Sequence, residues 1–212
     1  MSALTHPVAV EADFERLPLE AMHELSILGG TQVSALATSG YVERLQGRLV
    51  EVEDRSGALR LSALLGRVLE QHGDDVIEFG SWHGDWAAWN MAWVDGRVQL
   101  WDWERFERHV PLGFDVLHYR MQSVRHQHAD GHDGAAVVLA AAPDLLEQVG
   151  VPAHLAAATI VLYLAEICAR YMVAAQGDVG APLRPRAAWM LGLLEAQLER
   201  TDAPANQKGR PA

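Results

Sequence analysis

The sequence predicts an α+β protein that is mainly α. Half of its 212 residues are hydrophobic, which is enough for a substantial buried core. Most apolar residues recur with helical spacing, whereas the dipeptide Asp95-Gly96 separates two short apolar segments. These observations favour a bundle of helices that carries one short β-hairpin.

The part of the chain before the predicted strands is expected to form helices. Pro18 begins the segment PLEAMHEL and suits the first turn of a helix. An apolar stripe in YVERLQGRL predicts a second helix, and a third is expected over Leu59–Leu69. We interpret residues 1–70 as a helical lead-in to the polar motif that follows.

The middle of the chain is predicted to be β structure. VIEF at 76–79 is short, apolar and preceded by a glycine and two aspartates, as is typical of a buried strand. Met91–Val94 and Val98–Leu100 flank Asp95-Gly96, which is a favoured turn because both central residues of a tight hairpin need positive φ. A strand, a loop and a hairpin are therefore expected in this order.

Helices are expected again from Asp115, which can cap the segment VLHYRMQSV, to the glycine-containing break QHADGHDG. Further helices are predicted over Ala135–Val149, Ala153–Ala175 and Pro185–Glu199. The strongly apolar run Leu155–Ala165 is shorter than a bilayer requires and predicts a core helix. Residues 201–212 are polar, contain two prolines and are expected to be a disordered tail.

Charge and cysteine content narrow the class of protein. A formal net charge of -11 argues against nucleic acid as a partner and is better suited to a neutral or cationic small molecule. The single cysteine, Cys168, cannot form a disulfide or a thiolate zinc site within the chain. With no secretory pattern near Met1, we expect a cytoplasmic protein without a membrane partner.

The segment HGDWAAWNMAWVDGRVQLWDWERF contains the candidate chemistry. Asp85 and Asn90 share one loop, and Asp102 follows the hairpin that begins directly after Asn90, so that the hairpin folds Asp102 back beside Asn90. Carboxylate and amide oxygens are ligands that Mg²⁺ prefers. A carboxylate in such a loop can also orient a hydroxyl that attacks a phosphate and accept its proton.

The pattern H-G-D-x-x-x-x-N, followed by a hairpin and D-W-E, resembles the catalytic core of aminoglycoside phosphotransferases and choline-kinase-type small-molecule kinases. The resemblance implies a protein kinase-like C-terminal lobe that transfers the γ-phosphoryl group of ATP to a small-molecule hydroxyl, with Mg²⁺. It implies that Asp85 is the catalytic base and that Asn90 and Asp102 bind the metal and the nucleotide. His83 and Asp115 would be structural supports of the loop.

A kinase of this type also needs an N-terminal lobe with a glycine-rich strand pair and a lysine that grips the phosphates. The only lysine of the chain is Lys208, and Gly29-Gly30 lacks the required glycine spacing. Residues 1–200 are therefore interpreted as the catalytic lobe alone, weak or inactive without a separate nucleotide-binding lobe. An apolar surface left open in this way predicts association with that lobe or self-association.

Two other classes of function stay open. The chain can be a non-catalytic remnant that binds a small molecule or a partner, or a metal-dependent hydrolase that uses Asp85, Asn90 and Asp102 around one cation.

Three further features have simpler interpretations. The tryptophans of the motif region are expected to pack a core, and Glu166 and Arg170 are expected to form a surface ion pair. The polar residues from His126 to Asp133 predict an exposed loop, with zinc binding as an alternative; they are His126, His128, Asp130, His132 and Asp133.

Overall fold

The computed structural model describes residues 16–127 and 131–202. The protein is α+β and mainly helical, with 68% helix, as the sequence predicts. Its helices are α1 Leu19–Ile27, α2 Gly40–Val50, α3 Arg55–His72, α4 Phe114–Gln127, α5 Gly131–Gln148, α6 Ala156–Ala174, α7 Gly177–Gly180 and α8 Arg184–Asp202. Its strands are β1 Gln32–Ala35, β2 Val76–Trp82, β3 Met91–Val94, β4 Arg97–Leu100 and β5 Glu107–Pro111.

The chain divides into two compact units that are each discontinuous in sequence. Unit 1 comprises Met1–Thr31 and Phe79–Ala156, and unit 2 comprises Gln32–Glu78 and Ala157–Ala212. The candidate site lies in unit 1, and the long apolar helix α6 lies almost entirely in unit 2.

The strands form two small sheets. The first has the order β1-β2-β5, with β2 antiparallel to β5 and a register shift beside Gly80 and Ser81. His109 of β5 lies at this irregularity with φ 61°, a left-handed conformation that a β-bulge uses for its extra residue. The sequence analysis missed both β1 and β5, and β1 lies within the segment interpreted as a helical lead-in.

The second sheet is the predicted hairpin of β3 and β4. Asp95 and Gly96 connect the two strands with φ values of 50° and 76°. Two successive positive φ values match the twist of a tight hairpin. The hairpin prediction is confirmed, and with it the geometry that returns the chain from Val94 toward Trp101.

Unit 1 is built on α4 and α5, which pack against each other. Phe114, Leu117 and Tyr119 of α4 are buried in its core. In the same unit, β2 approaches α1 so closely that a Cβ atom at Gly80 would overlap the carbonyl oxygen of Ser26. Glycine is thus required near the end of β2, which leads into the loop over residues 83–90, the candidate loop.

In unit 2, α6 is the central helix. The Tyr41 hydroxyl of α2 donates to the carbonyl oxygen of Leu162 over 3.3 Å, and Cys168 Sγ lies 3.6 Å from the carbonyl oxygen of Ala187 in α8. Within the described part of the chain, Ala153–Ala174 is the one helix long and apolar enough to cross a membrane, and 78% of its apolar window is buried. Its bounds agree with the helix predicted over Ala153–Ala175, and its burial agrees with a core helix.

The prediction that Glu166 and Arg170 pair at the surface is wrong, because Glu166 is buried. The side chain of Glu166 is only 1% exposed, and its Oε1 accepts from Arg170 Nε over 2.8 Å and from Arg48 Nη1. Periodicity showed the pair within α6 but not Arg48, which arrives from α2 and completes a buried ion triad.

Two predicted polar segments lie partly or wholly outside the residues that the structure describes. The expected tail at 201–212 begins inside α8, which includes Thr201 and Asp202, and residues 203–212 are outside the described residues. The prediction of a loop from His126 to Asp133 is wrong at both ends of the segment, because α4 continues through Gln127 and α5 begins at Gly131. Residues 128–130 and the side chains of the segment lie outside the described residues.

Candidate functional site

The candidate loop begins where β2 ends and is anchored by Asp115. Asp115 Oδ2 accepts the His83 N–H over 2.8 Å, and Oδ1 accepts the Gly84 N–H over 3.2 Å. Gly84 has φ 82°, so glycine permits the turn that brings both N–H groups to one carboxylate. Asp115 is 4% exposed and lies in the first turn of α4. Its carboxylate therefore holds this loop from within the first turn of α4.

His83 connects the loop to the end of the hairpin. Its Nδ1 accepts the Asp85 N–H over 3.3 Å, so the ring proton lies on Nε2, which donates to the Trp101 carbonyl oxygen over 3.0 Å. The ring also packs against Trp103, with 4.8 Å between centroids. Burial lowers the pKa of His83 and outweighs the opposing effects of Trp101, Asp85 and Asp102. A neutral histidine therefore ties the loop to the residue before Asp102.

Asp85 is half-buried, and both of its carboxylate oxygens have partners. Oδ2 accepts from Asn90 Nδ2 over 3.3 Å, and Oδ1 lies 3.3 Å from His118 Nε2. Burial by itself raises the pKa of Asp85, but the hydrogen bond and attraction of His118, with the Arg105 guanidinium, outweigh burial and hold this pKa below its usual range. The carboxylate is therefore ionised at neutral pH and held at two points.

Asn90 is 5% exposed and closes the loop. Its Nδ2 donates to the Asp85 carbonyl oxygen over 2.9 Å as well as to the Asp85 carboxylate. The amide oxygen, which is the atom a hard cation would take, is used by neither bond. The Trp101 N–H donates to the Asn90 carbonyl oxygen over 3.2 Å. This backbone bond places Asp102 one residue beyond the partner of Asn90.

Asp102 is exposed and has φ 63° and ψ 59°. Left-handed conformations of this kind are unusual outside glycine, asparagine and aspartate. The negative charge of Asp102 is one of the weaker effects that raise the pKa of His83, against the larger lowering by burial. No group of three or more His, Cys, Asp or Glu residues arranged for a metal is found in residues 16–127 and 131–202. A magnesium ion held by Asn90 and Asp102 needs no such group, because it keeps several waters and takes phosphate oxygens.

Three residues near Asp85 were not predicted from the sequence: His118, Gln122 and Arg105. His118 follows Asp115 by three residues and Gln122 follows His118 by four, so helical spacing places Asp115, His118 and Gln122 on one face of α4. Arg105, in the short turn after Asp102, is near enough to lower the pKa of Asp85. The D-x-x-H-x-x-x-Q spacing was a usable signal, because Asp115 was already a candidate anchor of the loop.

Five of the six tryptophans from Trp82 to Trp103 divide into a buried and an exposed set, and Trp93 is intermediate. Trp82 and Trp86 are 1% and 0% exposed, as expected for core residues. Trp89, Trp101 and Trp103 are 42%, 38% and 46% exposed, so the expectation of core packing is wrong for these three. The exposed rings lie on the loop and after the hairpin, beside Asn90 and Asp102. They are thus exposed apolar side chains next in sequence to Asn90 and Asp102.

Comparison of the chain with protein-family models, with curated proteins and with solved structures gives no match. The geometry of the loop and the hairpin is therefore the ground for a functional hypothesis.

Proposed function

We propose that the chain is the catalytic lobe of an ATP-dependent phosphotransferase of the protein kinase-like class, transferring a γ-phosphoryl group to a hydroxyl of a small molecule. The observation on which the proposal rests is that both carboxylate oxygens of Asp85 have fixed partners, Asn90 and His118. An ionised, half-buried carboxylate lies in a loop whose backbone is anchored by Asp115 and whose far end is closed by Asn90. Such a carboxylate is suited to orient a hydroxyl and accept its proton.

Asp85 is the proposed catalytic base. Its low pKa keeps it ionised at neutral pH, so it accepts a hydrogen bond from the acceptor hydroxyl before the reaction. It takes the proton as the hydroxyl oxygen bonds to the γ-phosphorus, while the bond from that phosphorus to the β–γ bridging oxygen breaks and ADP leaves with its electron pair. Its half-buried position leaves part of the carboxylate open to a substrate. The net charge of -11 favours a cationic or neutral substrate, as aminoglycoside- or choline-like molecules are.

Asn90 and Asp102 are the proposed ligands of the magnesium-nucleotide complex. The amide oxygen of Asn90 and the exposed carboxylate of Asp102 are the oxygen donors that Mg²⁺ prefers, and the backbone bond between Asn90 and Trp101 keeps their segments adjacent. When bound, the metal would neutralise charge on the phosphates. His83 links the two segments, because its Nδ1 accepts the Asp85 N–H and its Nε2 donates to the Trp101 carbonyl oxygen.

The isolated chain is expected to bind the nucleotide weakly and to turn it over negligibly. No lysine other than Lys208 is present in the sequence to grip the phosphates, so the proposal includes a separate nucleotide-binding lobe. The exposed rings Trp89, Trp101 and Trp103 would face that lobe or the nucleotide. Without such a lobe, the same rings favour self-association.

The test is an NMR titration of the 212-residue chain with ATP and Mn²⁺ in place of Mg²⁺. We expect paramagnetic broadening centred on Asn90 and Asp102 that requires ATP and is reversed by excess Mg²⁺. Asn90→Ala and Asp102→Asn should weaken the broadening, the second more strongly because it removes a charge. Asparagine is chosen at 102 because it tolerates positive φ, whereas alanine would add backbone strain.

The matched control is Asp95→Asn, which removes an exposed, positive-φ aspartate from the turn of the same hairpin. It should leave the broadening unchanged. Equal loss in both hairpin variants would mean nonspecific attraction of the cation and would overturn the metal assignment.

The other classes of function give different outcomes. ATP-independent cation binding at Asp85, Asn90 and Asp102 would favour a metal-dependent hydrolase. A chain that binds neither cation nor nucleotide at this loop would be a non-catalytic remnant. Either result would replace the phosphotransferase proposal.

A further inference from the structure

We infer that His118 is a positioning residue that sets the direction of the Asp85 carboxylate. The inference deepens the proposed function and rests on it for its catalytic meaning. Its structural basis is one contact, in which His118 Nε2 lies 3.3 Å from Asp85 Oδ1. His118 is 4% exposed and comes from α4, 33 residues further along the chain.

The contact completes a grip on both oxygens of Asp85. Asn90 Nδ2 holds Oδ2 from within the loop, and His118 holds Oδ1 from outside it. A hydrogen bond at one oxygen leaves the carboxylate free to turn about its last bond, whereas two partners from different directions determine its plane. Lone pairs that point away from both partners are left for a substrate hydroxyl.

The proton between the two groups belongs to His118. An ionised carboxylate only accepts hydrogen bonds, so His118 Nε2 must donate. Gln122 lies on the same imidazole nitrogen, with its amide 3.1 Å away. The structure places the Gln122 amide nitrogen at this distance, but a nitrogen that carries one proton cannot accept from an amide N–H. An Nε2–H on His118 therefore requires the amide group of Gln122 to be turned by half, which makes its oxygen a second acceptor for the same proton. Gln122 thus reinforces the Nε2–H form of the ring.

His118 is itself held in a rigid place. The Trp82 ring meets it edge-on with 6.3 Å between centroids, and Trp82 is 1% exposed. One helical turn earlier on α4, Asp115 holds the backbone of the same loop. A single helix therefore positions both the backbone of the loop and the side chain of its central residue.

The experiment is NMR of the full chain with ¹⁵N- and ¹³C-labelled side chains. In the wild type, neutral His118 should be the Nε2–H tautomer, with an imidazole proton protected from exchange. In His118→Leu, the Asp85 carboxyl ¹³C resonance and the Asn90 amide protons should shift, because Oδ1 loses its donor and the carboxylate turns. In His118→Gln, both signals should return toward the wild-type positions, since the glutamine amide supplies an N–H at a similar reach.

A control separates positioning from packing. His23, also in unit 1, has its Nδ1 3.1 Å from the Val149 carbonyl oxygen, away from the loop. His23→Leu should leave the Asp85 and Asn90 signals unchanged.

Three results would overturn the inference: an Nδ1–H tautomer in the wild type, unchanged Asp85 and Asn90 signals in a folded His118→Leu, or equal shifts in the His23 and His118 variants. If His118→Leu does not fold, the wild-type tautomer and the His118→Gln spectra still decide. ATP-dependent Mn²⁺ broadening in the same samples tests the proposed function separately. Failure there with the expected His118 signals would remove the phosphotransferase and leave the contact.

Discussion

Each unit of the protein contains a carboxylate that is almost fully buried, and the two are stabilised in different ways. Asp115 of unit 1 is 4% exposed and accepts two backbone N–H groups of the candidate loop. Glu166 of unit 2 is 1% exposed and is bound by the guanidinium groups of Arg48 and Arg170. The backbone donors connect Asp115 to a loop, whereas the two arginines bring opposite charge to Glu166 and join α2 to α6. The difference separates a carboxylate that positions a site from one that stabilises a core.

Removing the carboxylate of unit 2 is expected to have the largest effect. Glu166→Leu should lower the free energy of unfolding by about 3 to 5 kcal/mol, because it removes the buried carboxylate that Arg48 and Arg170 share. Urea unfolding followed by circular dichroism measures this loss. Replacing Arg48 and Arg170 by methionine in the same variant should restore much of it. A loss below about 1 kcal/mol in the single variant would contradict the buried ion triad.

Removing the charge of the carboxylate in unit 1 should have a smaller but more local effect. Asp115→Asn keeps one acceptor oxygen and turns an N–H toward the other loop donor, which should cost about 1 to 3 kcal/mol. Hydrogen exchange should become faster at the His83 and Gly84 amides before it does in α5. Asp144→Asn, an exposed change on α5, is the control and should leave exchange in the loop unaltered. Uniformly faster exchange throughout unit 1 would mean that Asp115 stabilises the unit as a whole.

His83 should contribute to the change of the free energy of unfolding with pH. Burial lowers its pKa in the folded protein, so below its ordinary pKa of 6.5 the unfolded chain binds a proton that the folded chain excludes. Its contribution to stability is therefore complete above that value and is lost as the pH falls through the folded pKa. His83→Gln should be less stable at neutral pH but lose less stability between neutral pH and pH 5. Parallel pH profiles would argue against a neutral His83.

The exposed ion pair of unit 2 should show the smallest effect. Arg60 and Glu195 form two hydrogen bonds, but their side chains are 56% and 27% exposed, so water and salt screen the attraction. Glu195→Gln should leave the urea midpoint nearly unchanged. A shift comparable to that of Glu166→Leu would remove the contrast between buried and exposed carboxylates.

The elements predicted correctly from the sequence are those whose structure is decided by local physics. The helices follow from apolar spacing, and the hairpin follows from Asp95 and Gly96, whose positive φ values a tight turn requires. The strands β1 and β5 were missed because each is short and partly exposed, and because pairing along β2 forms them. Strand propensity depends strongly on such neighbours.

The sequence by itself determined which residue types the candidate site has to offer: an aspartate and an asparagine in one loop, an aspartate after a hairpin and an aspartate at the start of a helix. Only the tertiary structure decided that His118 holds Asp85 and that Arg48, 118 residues away, neutralises Glu166. Both are contacts between elements distant in the chain. Helical or strand periodicity tells which face of an element is buried, but the partner met by that face depends on how the elements pack.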